Sequence, residues 1–302
     1  MNFYKTIPCP LCNSKEYFIL KSGDYNKYSA DEIKKKFSSS SDFFIDQVVK
    51  CKNCKFVYLN PRIDTSIILE GYSTVIDEKF ISQDAFRIKT FIESLSKIKK
   101  KINLNNKKIL DVGAANGTFV KVCLSDNLIA DGIEPSKWLV YQAKINDNID
   151  LKCGSFEKFD FANKYDFIFF WDVLEHVFDL EITKNKILNL LNKDGYLIIN
   201  CPDHDSIAHK VLKFRWPFFL SVHLYYFNEN SLKNFLKDEF TLIEKFPHFQ
   251  YLELEYVFER ASKYFSFFKY LKKVLNFLKI NKLPFRYNMG QTTFIFKKNE
   301  KK

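Results

Sequence analysis

No stretch of the chain approaches the roughly twenty uncharged apolar residues that a membrane-spanning helix needs. The first residues, Met1-Asn2-Phe3-Tyr4-Lys5, lead into no apolar run of signal-peptide length, and internal repeats are absent too. These absences argue against spanning and secretory segments and predict a cytoplasmic location. With 46% hydrophobic and 27% charged residues among 302, the composition indicates a globular protein with one large core and a smaller module.

The chain also lacks the even set of cysteines expected of a disulfide framework, because it has seven. In a reducing compartment, such a set indicates free thiols or metal ligands. Cys123, Cys153 and Cys201 lie within apolar segments, where buried and inert thiols are expected.

Two C-x-x-C pairs near the N-terminus, Cys9-Pro10-Leu11-Cys12 and Cys51-Lys52-Asn53-Cys54, contain the other four cysteines. Four thiolates in two such pairs are typical of a closed, structural zinc site. The 38 residues from Asn13 to Lys50 exceed the usual zinc-ribbon spacing, so two redox-active or incidental pairs are the alternative. We expect a zinc-ribbon-like module over residues 1–62, to which structural zinc contributes folding free energy.

Local patterns place secondary structure within and after this module. Strands are predicted at Glu16–Leu20 and Phe43–Lys50, on either side of a polar insertion over Ser29–Ser41. From Asp77 to Leu104 apolar residues recur at helical spacing, which predicts a helical linker over residues 63–106.

The rest of the sequence is arranged around one stretch, KILDVGAANGTF at residues 108–119. It is typical of a buried strand that runs through a tight glycine turn into a helix, and Gly113 and Gly117 permit the close backbone approach that this turn requires. Backbone N–H groups at such a helix start attract anions, and nucleotide-like ligands bind beyond the carboxyl ends of the strands in a doubly wound sheet.

The nature of the nucleotide follows from the neighbouring residues. A second strand ends in Glu134, about twenty residues past the first glycine, where a carboxylate can accept hydrogen bonds from both ribose hydroxyls. The spacing Gly113-x-x-x-Gly117, with Ala115 in the middle and no third glycine nearby, disfavours a pyrophosphate. Asp111 would repel phosphates but suits an ammonium group, so S-adenosylmethionine explains the site better than NAD.

These residues resemble the class I S-adenosylmethionine-dependent methyltransferases. Tyr165–Val177 resembles the fourth strand of that family and the turn after it, Leu190–Pro202 the fifth strand, and Gly154–Glu157 the adenine-contacting turn. The resemblance implies an α/β fold with a Rossmann-like seven-stranded methyltransferase sheet over residues 107–302, beside the small N-terminal zinc-binding module. The cofactor-binding residues that it implies are Asp111, Gly113, Ala115, Gly117, Glu134, Ser155, Phe156, Trp171 and Asp172. The usual glycine of the family is replaced by Ala115.

Aromatic and basic residues crowd together in residues 202–230, and this stretch resembles the acceptor-covering lid of family members that act on small molecules and sugar nucleotides. Because a hydroxyl acceptor must lose a proton, a histidine of near-neutral pKa suits the role of general base. His223 is the first candidate, His204 the second, and His176 a weaker one. Alternatively, the histidines are structural and the base is a carboxylate or water.

The C-terminal region is predicted to contain a sixth strand at Phe240–Phe246 and a last strand at Thr292–Lys297, which closes the sheet as an antiparallel edge. Between them, residues 253–280 have the pattern of one long inserted helix that packs on the domain or on a second subunit. A basic aromatic helix can also lie on an anionic membrane surface, which would place the enzyme at the inner membrane. The oligomeric state is not predicted.

The net charge of +11 favours acidic partners. A phosphorylated or nucleotide-linked sugar would meet Lys213 and Arg215 in the lid, and this small acceptor is favoured, with O-methylation in surface-polysaccharide or secondary metabolism. One alternative is a ribosomal or transfer RNA methyltransferase, although the chain has no recognisable RNA-binding module. Another is a non-catalytic protein of the same fold that binds the cofactor or a partner. The order of zinc module and catalytic domain also resembles sugar C-methyltransferases.

Overall fold

The computed structural model describes residues 4–25, 28–34, 43–64, 67–68, 76, 78–262, 267–278 and 280–300. The N-terminal module consists of short strands and one short helix. In chain order they are β1 (Tyr4–Lys5), β2 (Tyr17–Lys21), α1 (Ala30–Lys34), β3 (Val48–Cys51), β4 (Val57–Leu59) and β5 (Arg62–Ile63). Strands β2, β3 and β4 form an antiparallel sheet, and β1 pairs with β5. The two predicted strands exist as β2 and β3, but β3 begins five residues later than expected, and residues 35–41 of the polar insertion lie outside the described residues.

Two helices follow the module, α2 (Glu78–Ile81) and α3 (Asp84–Lys99). The predicted helix from Asp77 to Leu104 is therefore shorter and interrupted near Gln83, and Asp77 lies outside the described residues. Helix α3 buries Leu95 and Ile98 among the aromatic and aliphatic side chains of the following domain. Helix α3 is thus packed on the catalytic domain.

A mixed α/β domain forms the rest of the chain. Its elements are β6 (Lys108–Val112), α4 (Thr118–Ser125), β7 (Ile129–Glu134), α5 (Lys137–Asp147), β8 (Lys152–Cys153), β9 (Tyr165–Trp171), α6 (Leu180–Leu190), β10 (Leu191–Pro202), α7 (Ile207–Leu212), β11 (Tyr225–Tyr226), α8 (Glu229–Leu236), β12 (Phe240–Pro247), β13 (Gln250–Glu253), α9 (Leu254–Ala261), α10 (Phe267–Phe277), β14 (Pro284–Tyr287) and β15 (Gln291–Lys298). Two 3-10 turns, Leu174–His176 and Lys213–Arg215, complete it.

Seven strands of this domain form one sheet in the order β12-β15-β10-β9-β6-β7-β8. β6, β7, β8, β9 and β10 run parallel, and β15 is antiparallel to both of its neighbours. The last strand was expected at the edge of the sheet, but it is inserted between β10 and β12, so β12 forms the edge. β9 and β10 are apolar along most of their length because side chains cover both faces of the central sheet.

The covering segment, residues 202–230, which the sequence predicts to be a lid, joins the two parts of the chain. Strand β11 pairs with β4 and becomes the fourth strand of the module's sheet, in the order β11-β4-β3-β2. Leu59 N–H also donates to Leu224 O at 3.0 Å. One continuous apolar core runs from Cys9 and Val49 in the module to Phe296 in β15. The covering segment is therefore built into the structure on both sides.

The three remaining cysteines differ in their surroundings. Cys123 and Cys201 are buried as expected, whereas Cys153 is exposed, so the expectation of a buried thiol at this position is wrong. The physical reason is that Cys153 ends β8, a two-residue strand at the outer edge of the sheet.

The insertion consists of two helices, α9 and α10, instead of one long helix, and residues 263–266 between them lie outside the described part of the chain. β13 and β14 flank the helices as an antiparallel pair. This pair is anchored on α3, where Arg286 forms an ion pair with Glu93 at 2.7 Å and Tyr251 N–H donates to Thr90 Oγ1 at 2.8 Å. Among the described helices, none is both long enough and apolar enough to cross a membrane.

Asp46 is fully buried between the module and the covering segment, and neither of its carboxylate oxygens has a hydrogen-bond partner within the described part of the chain. Burial raises the pKa of this carboxyl from 3.8 to about 7. Because the folded state holds the proton more tightly than the unfolded state, Asp46 should lower stability as pH rises from about 4 to 7, by up to about 4 kcal/mol.

Asp46→Asn should therefore raise the midpoint of thermal unfolding at pH 8 more than at pH 5, because the amide carries no charge to bury. Thermal unfolding curves of the wild type and the variant across this range provide the measurement. A constant difference between the two proteins at all pH values would contradict the assignment.

Candidate active site

The glycine turn lies at the carboxyl end of β6 and begins α4. Gly113 and Gly117 both adopt left-handed backbone conformations, with φ of 68° and 79°. A Cβ atom on Gly113 would lie 2.6 Å from Val173 Cγ2, so a side chain has no room there. The N–H groups of Gly113 and Ala114 both donate to Ile133 O. The turn is thereby tied to the carboxyl end of β7.

Glu134 lies at the end of β7, next to this turn. Its Oε2 accepts a hydrogen bond from Ala115 N–H, and its Oε1 accepts one from Ser136 N–H, both at 2.9 Å. Burial raises the pKa of the Glu134 carboxyl to about 7. Each oxygen keeps a lone pair for a further donor, and two neighbouring ribose hydroxyls are donors of the right kind.

Asp111 is buried beneath the turn, and its Oδ1 has no hydrogen-bond partner among the described residues. Burial, and secondarily the charge of Glu134, raise the pKa of this carboxyl well above its usual value. An unpartnered acceptor at this position fits a ligand that carries an ammonium group. The geometry of the turn, Glu134 and Asp111 together fit S-adenosylmethionine, of which these residues would hold the ribose and the amino-acid end.

A polar network that the sequence analysis missed supports the turn from the side of α3. Asp84 accepts hydrogen bonds from the Asn116 amide and the Thr118 hydroxyl and forms an ion pair with Arg87. Arg87 also donates to Asn116 Oδ1 at 3.3 Å. Asp84 begins its helix 32 residues before Asn116, so no local spacing could have indicated this contact.

Asp172 follows β9 directly and has a left-handed backbone conformation, with φ of 55°. Its carboxylate accepts hydrogen bonds from Asn200 Nδ2 at 2.8 Å and from Gln291 Nε2 at 2.6 Å. Burial raises its pKa to about 7. These two amides, which the sequence did not indicate, hold the carboxylate in place, so Asp172 is positioned by β10 and β15 as well as by its own strand.

The other predicted cofactor residues occupy different surroundings. Ser155 is half-buried in the turn after β8, close to the end of β7, where Gly154 N–H donates to Glu134 O. Phe156 is buried and packs edge-on against Phe170 with ring centroids 5.5 Å apart. Trp171 lies in the aromatic cluster beneath α3, and its described ring partners are Phe91, Phe119, Phe169 and His248.

Two of the three candidate histidines meet after β9. The rings of His176 and His223 lie 4.7 Å apart, and Glu175 lies beside them in the 3-10 turn. Leu224 N–H donates to Glu175 O at 2.8 Å, which connects the covering segment to this turn. His204 is not part of this group, because its ring stacks on His209 with centroids 4.0 Å apart. The structure therefore brings His176 and His223 together with Glu175, a residue outside the predicted site.

Burial is the main cause of the pKa shifts of these three side chains. It lowers the pKa of His176 to about 4 and that of His223 well below the usual histidine value, and it raises the pKa of Glu175. A near-neutral histidine was expected, but burial favours the neutral form of both rings, because Glu175 and His223 are buried and His176 is half-buried. A neutral imidazole keeps a lone pair on one of its two ring nitrogens.

The four N-terminal cysteines come together in two turns of identical design. In each turn the N–H of the first cysteine donates to the carbonyl five residues later, Cys9 to Ser14 and Cys51 to Phe56. In each, the residue after the second cysteine has a left-handed conformation, Asn13 with φ of 58° and Lys55 with φ of 63°. The 38-residue gap is therefore no obstacle, since the antiparallel pairing of β2 with β3 brings the turns together.

The sulfur positions fit a zinc ion. All four Sγ atoms lie within 4.8 Å of one another, with Cys9 and Cys54 at 3.4 Å and Cys12 and Cys51 at 3.5 Å. Tetrahedral zinc with Zn–S bonds of about 2.3 Å places its sulfurs roughly 3.8 Å apart. No described disulfide links them. The cluster is a structural zinc site, and it leaves no coordination position for a substrate.

Comparisons with known proteins identify the family of the chain. Residues 82–240, more than half of the chain, match the family described as methyltransferase domain. No curated protein matches the chain. One similar solved structure is a SAM-dependent methyltransferase from Thermotoga maritima, described as a possible histamine N-methyltransferase. It is 16% identical, has a TM-score of 0.47, and the match covers 73% of this chain and 93% of that one. Another is an S-adenosylmethionine-dependent methyltransferase from Clostridium acetobutylicum, with 12% identity, a TM-score of 0.45, and coverage of 70% and 91%.

The sheet order, the glycine turn and the family match define an S-adenosylmethionine-dependent methyltransferase with an N-terminal zinc-ribbon-like module. The chain belongs to the methyltransferase-domain family.

Proposed function

We propose that this methyltransferase methylates a hydroxyl group of a small, sugar-containing acceptor. The observation that carries the proposal is the group of Glu175, His176 and His223, which joins the 3-10 turn after β9 to the covering segment. Glu175 is 1% exposed and His223 is 5% exposed. A folded RNA presents a broad surface, so side chains as buried as Glu175 and His223 suit a small acceptor better.

Three groups of residues divide the work. Glu134 and Asp111 would hold the ribose and the amino-acid end of S-adenosylmethionine, which supplies a methyl group bound to a positively charged sulfur. Val173 lies close to Gly113 and precedes Glu175 by two residues, so the group of Glu175, His176 and His223 begins near the glycine turn. The acceptor hydroxyl is proposed to lie at the group formed by Glu175, His176 and His223, which orients it for in-line attack.

The covering segment provides the proposed acceptor specificity. Trp216 is buried and donates from Nε1 to Met289 O at 2.6 Å, which fixes the aromatic part of the segment to the residues before β15. Lys213 and Arg215, in the exposed 3-10 turn, supply positive charge at its surface. We propose that these two cations meet the phosphates of a nucleotide-linked sugar whose hydroxyl reaches the buried histidines.

Turnover with a panel of acceptors tests this function. The full chain should convert S-adenosylmethionine to S-adenosylhomocysteine with nucleotide-linked or phosphorylated sugars and not with transfer RNA. His223→Ala should lower kcat/KM by about 10²–10⁴-fold and leave the affinity for S-adenosylhomocysteine unchanged. Product analysis should locate the new methyl group on oxygen. Turnover with RNA alone, or methyl transfer to carbon, would contradict the proposal, and binding without turnover of any acceptor would favour a non-catalytic role.

A further inference from the structure

The buried group beneath the covering segment has the composition of a metal site. One carboxylate oxygen of Glu175 and one ring nitrogen each of His176 and His223 lie within 4.8 Å of one another. Two imidazoles and one carboxylate are the protein ligands of catalytic zinc and non-haem iron sites, where the remaining coordination positions are open. This group is separate from the four cysteines of the N-terminal module.

Both imidazoles are held in the form that binds a metal. His176 Nδ1 lies 2.9 Å from Val222 O, and His223 Nδ1 lies 2.8 Å from Phe218 O. Because a carbonyl oxygen only accepts hydrogen bonds, the proton of each neutral ring is on Nδ1, and Nε2 carries the lone pair. Metal-binding histidines commonly donate their other ring N–H to a backbone carbonyl in this way.

The unpartnered carboxylate of Glu175 is a second, independent observation that points to a metal ligand. Its side chain is almost completely buried, and neither Oε1 nor Oε2 has a hydrogen-bond partner among the described residues. A carboxylate without donors is costly in a protein interior unless a cation compensates for its charge. Asp172 lies close enough to add a second negative charge, yet its own oxygens are occupied by Asn200 and Gln291.

We propose that Glu175, His176 and His223 bind one divalent transition-metal cation, and that its open positions receive two neighbouring oxygens of the acceptor. The second part rests on the proposed function. A bound divalent cation lowers the pKa of a coordinated hydroxyl. The acceptor oxygen then loses its proton to water and forms the bond to the methyl carbon, while the bond between that carbon and sulfur breaks. A vicinal diol, as in many sugars, supplies two oxygens at the required spacing.

Manganese binding tests the site independently of turnover. Soft thiolates select zinc, whereas nitrogen and oxygen ligands accept Mn²⁺, so the zinc-loaded full chain is titrated with Mn²⁺ and the free ion is followed by electron paramagnetic resonance. We expect one Mn²⁺ per wild-type chain. Glu175→Gln and His223→Ala should each weaken this binding at least about tenfold. His209→Ala, which alters a histidine of the same segment outside the group, should bind Mn²⁺ as the wild type does.

The results separate the two proposals. If the wild type binds no Mn²⁺, and no Zn²⁺ or Co²⁺ beyond the ion held by the cysteines, the metal site is wrong, whether or not the variants fold. Equal Mn²⁺ affinity in Glu175→Gln and the wild type would also overturn it. If the ion binds at this site but no sugar is methylated, the metal site stands and the proposed acceptor fails.

Discussion

Replacing Glu134 with alanine should weaken the binding of S-adenosylhomocysteine at least about 100-fold. Hydrogen bonds to a charged group contribute roughly 1.5–3 kcal/mol each, and two ribose hydroxyls would donate to this carboxylate. The substitution also removes the acceptors of Ala115 N–H and Ser136 N–H, which hold the glycine turn. Isothermal titration calorimetry of the two proteins provides the measurement.

Glu181→Ala is the matched control, because this exposed glutamate lies in the first turn of α6 and is no part of the candidate cofactor site. It should bind S-adenosylhomocysteine as the wild type does. Unchanged affinity in Glu134→Ala would remove this residue from the cofactor site, and no binding by the wild type would contradict the proposed cofactor site as a whole.

The same site predicts a pH dependence of binding. Burial raises the pKa of Glu134 to about 7, and only the ionised carboxylate accepts hydrogen bonds at both oxygens. Below this pKa the ligand must displace a proton, so affinity should fall by up to about tenfold per pH unit between pH 7 and pH 5. Titrations in several buffers would show this decline, and Glu134→Ala should show a flatter profile.

Cys51→Ser should release the structural zinc and destabilise the whole chain. Structural zinc sites contribute apparent free energies of about 10–16 kcal/mol in small zinc-binding peptides. Because β11 joins the module's sheet and one core spans both parts, this loss cannot stay confined to the module. A loss of only a few kcal/mol would already lower the thermal midpoint by roughly 10 °C.

Metal analysis and thermal unfolding test this second prediction together. Cys51→Ser should contain one zinc fewer per chain than the wild type, and Cys153→Ser, which changes an exposed thiol outside the cluster, should match the wild type in both measurements. If Cys51→Ser keeps its zinc content and its midpoint, the four cysteines do not form the zinc site.

The pairing of β11 with β4 gives the zinc module a role beyond its own stability. Arg62 at the end of the module donates to the Tyr225 hydroxyl and to Phe178 O, both at 2.9 Å. Phe43 O, also in the module, accepts from Ser221 N–H, two residues before His223. The module therefore holds the segment that carries His223 against the turn that carries Glu175 and His176.

Local sequence patterns alone were sufficient to predict the cofactor-binding turn and the zinc site of this protein. The apolar run of β6, the glycines after it and the acidic end of β7 are each encoded within a few residues, because strand, turn and helix preferences are short-range. The two C-x-x-C turns could be identified for the same reason. The cofactor and the structural zinc followed from these stretches, and the seven-stranded fold followed from the family that they resemble.

Only the tertiary structure decided which distant side chains meet. Asp172 is held by Gln291, 119 residues later, and His176 Nδ1 lies against Val222 O, 46 residues later. Glu175 is no part of the site predicted from the sequence, and only the structure shows that it is buried beside two imidazoles. Such contacts depend on strand order and on the packing of the covering segment. Residue spacing along the sequence does not encode them, because burial and charge pairing arise only after distant elements come together.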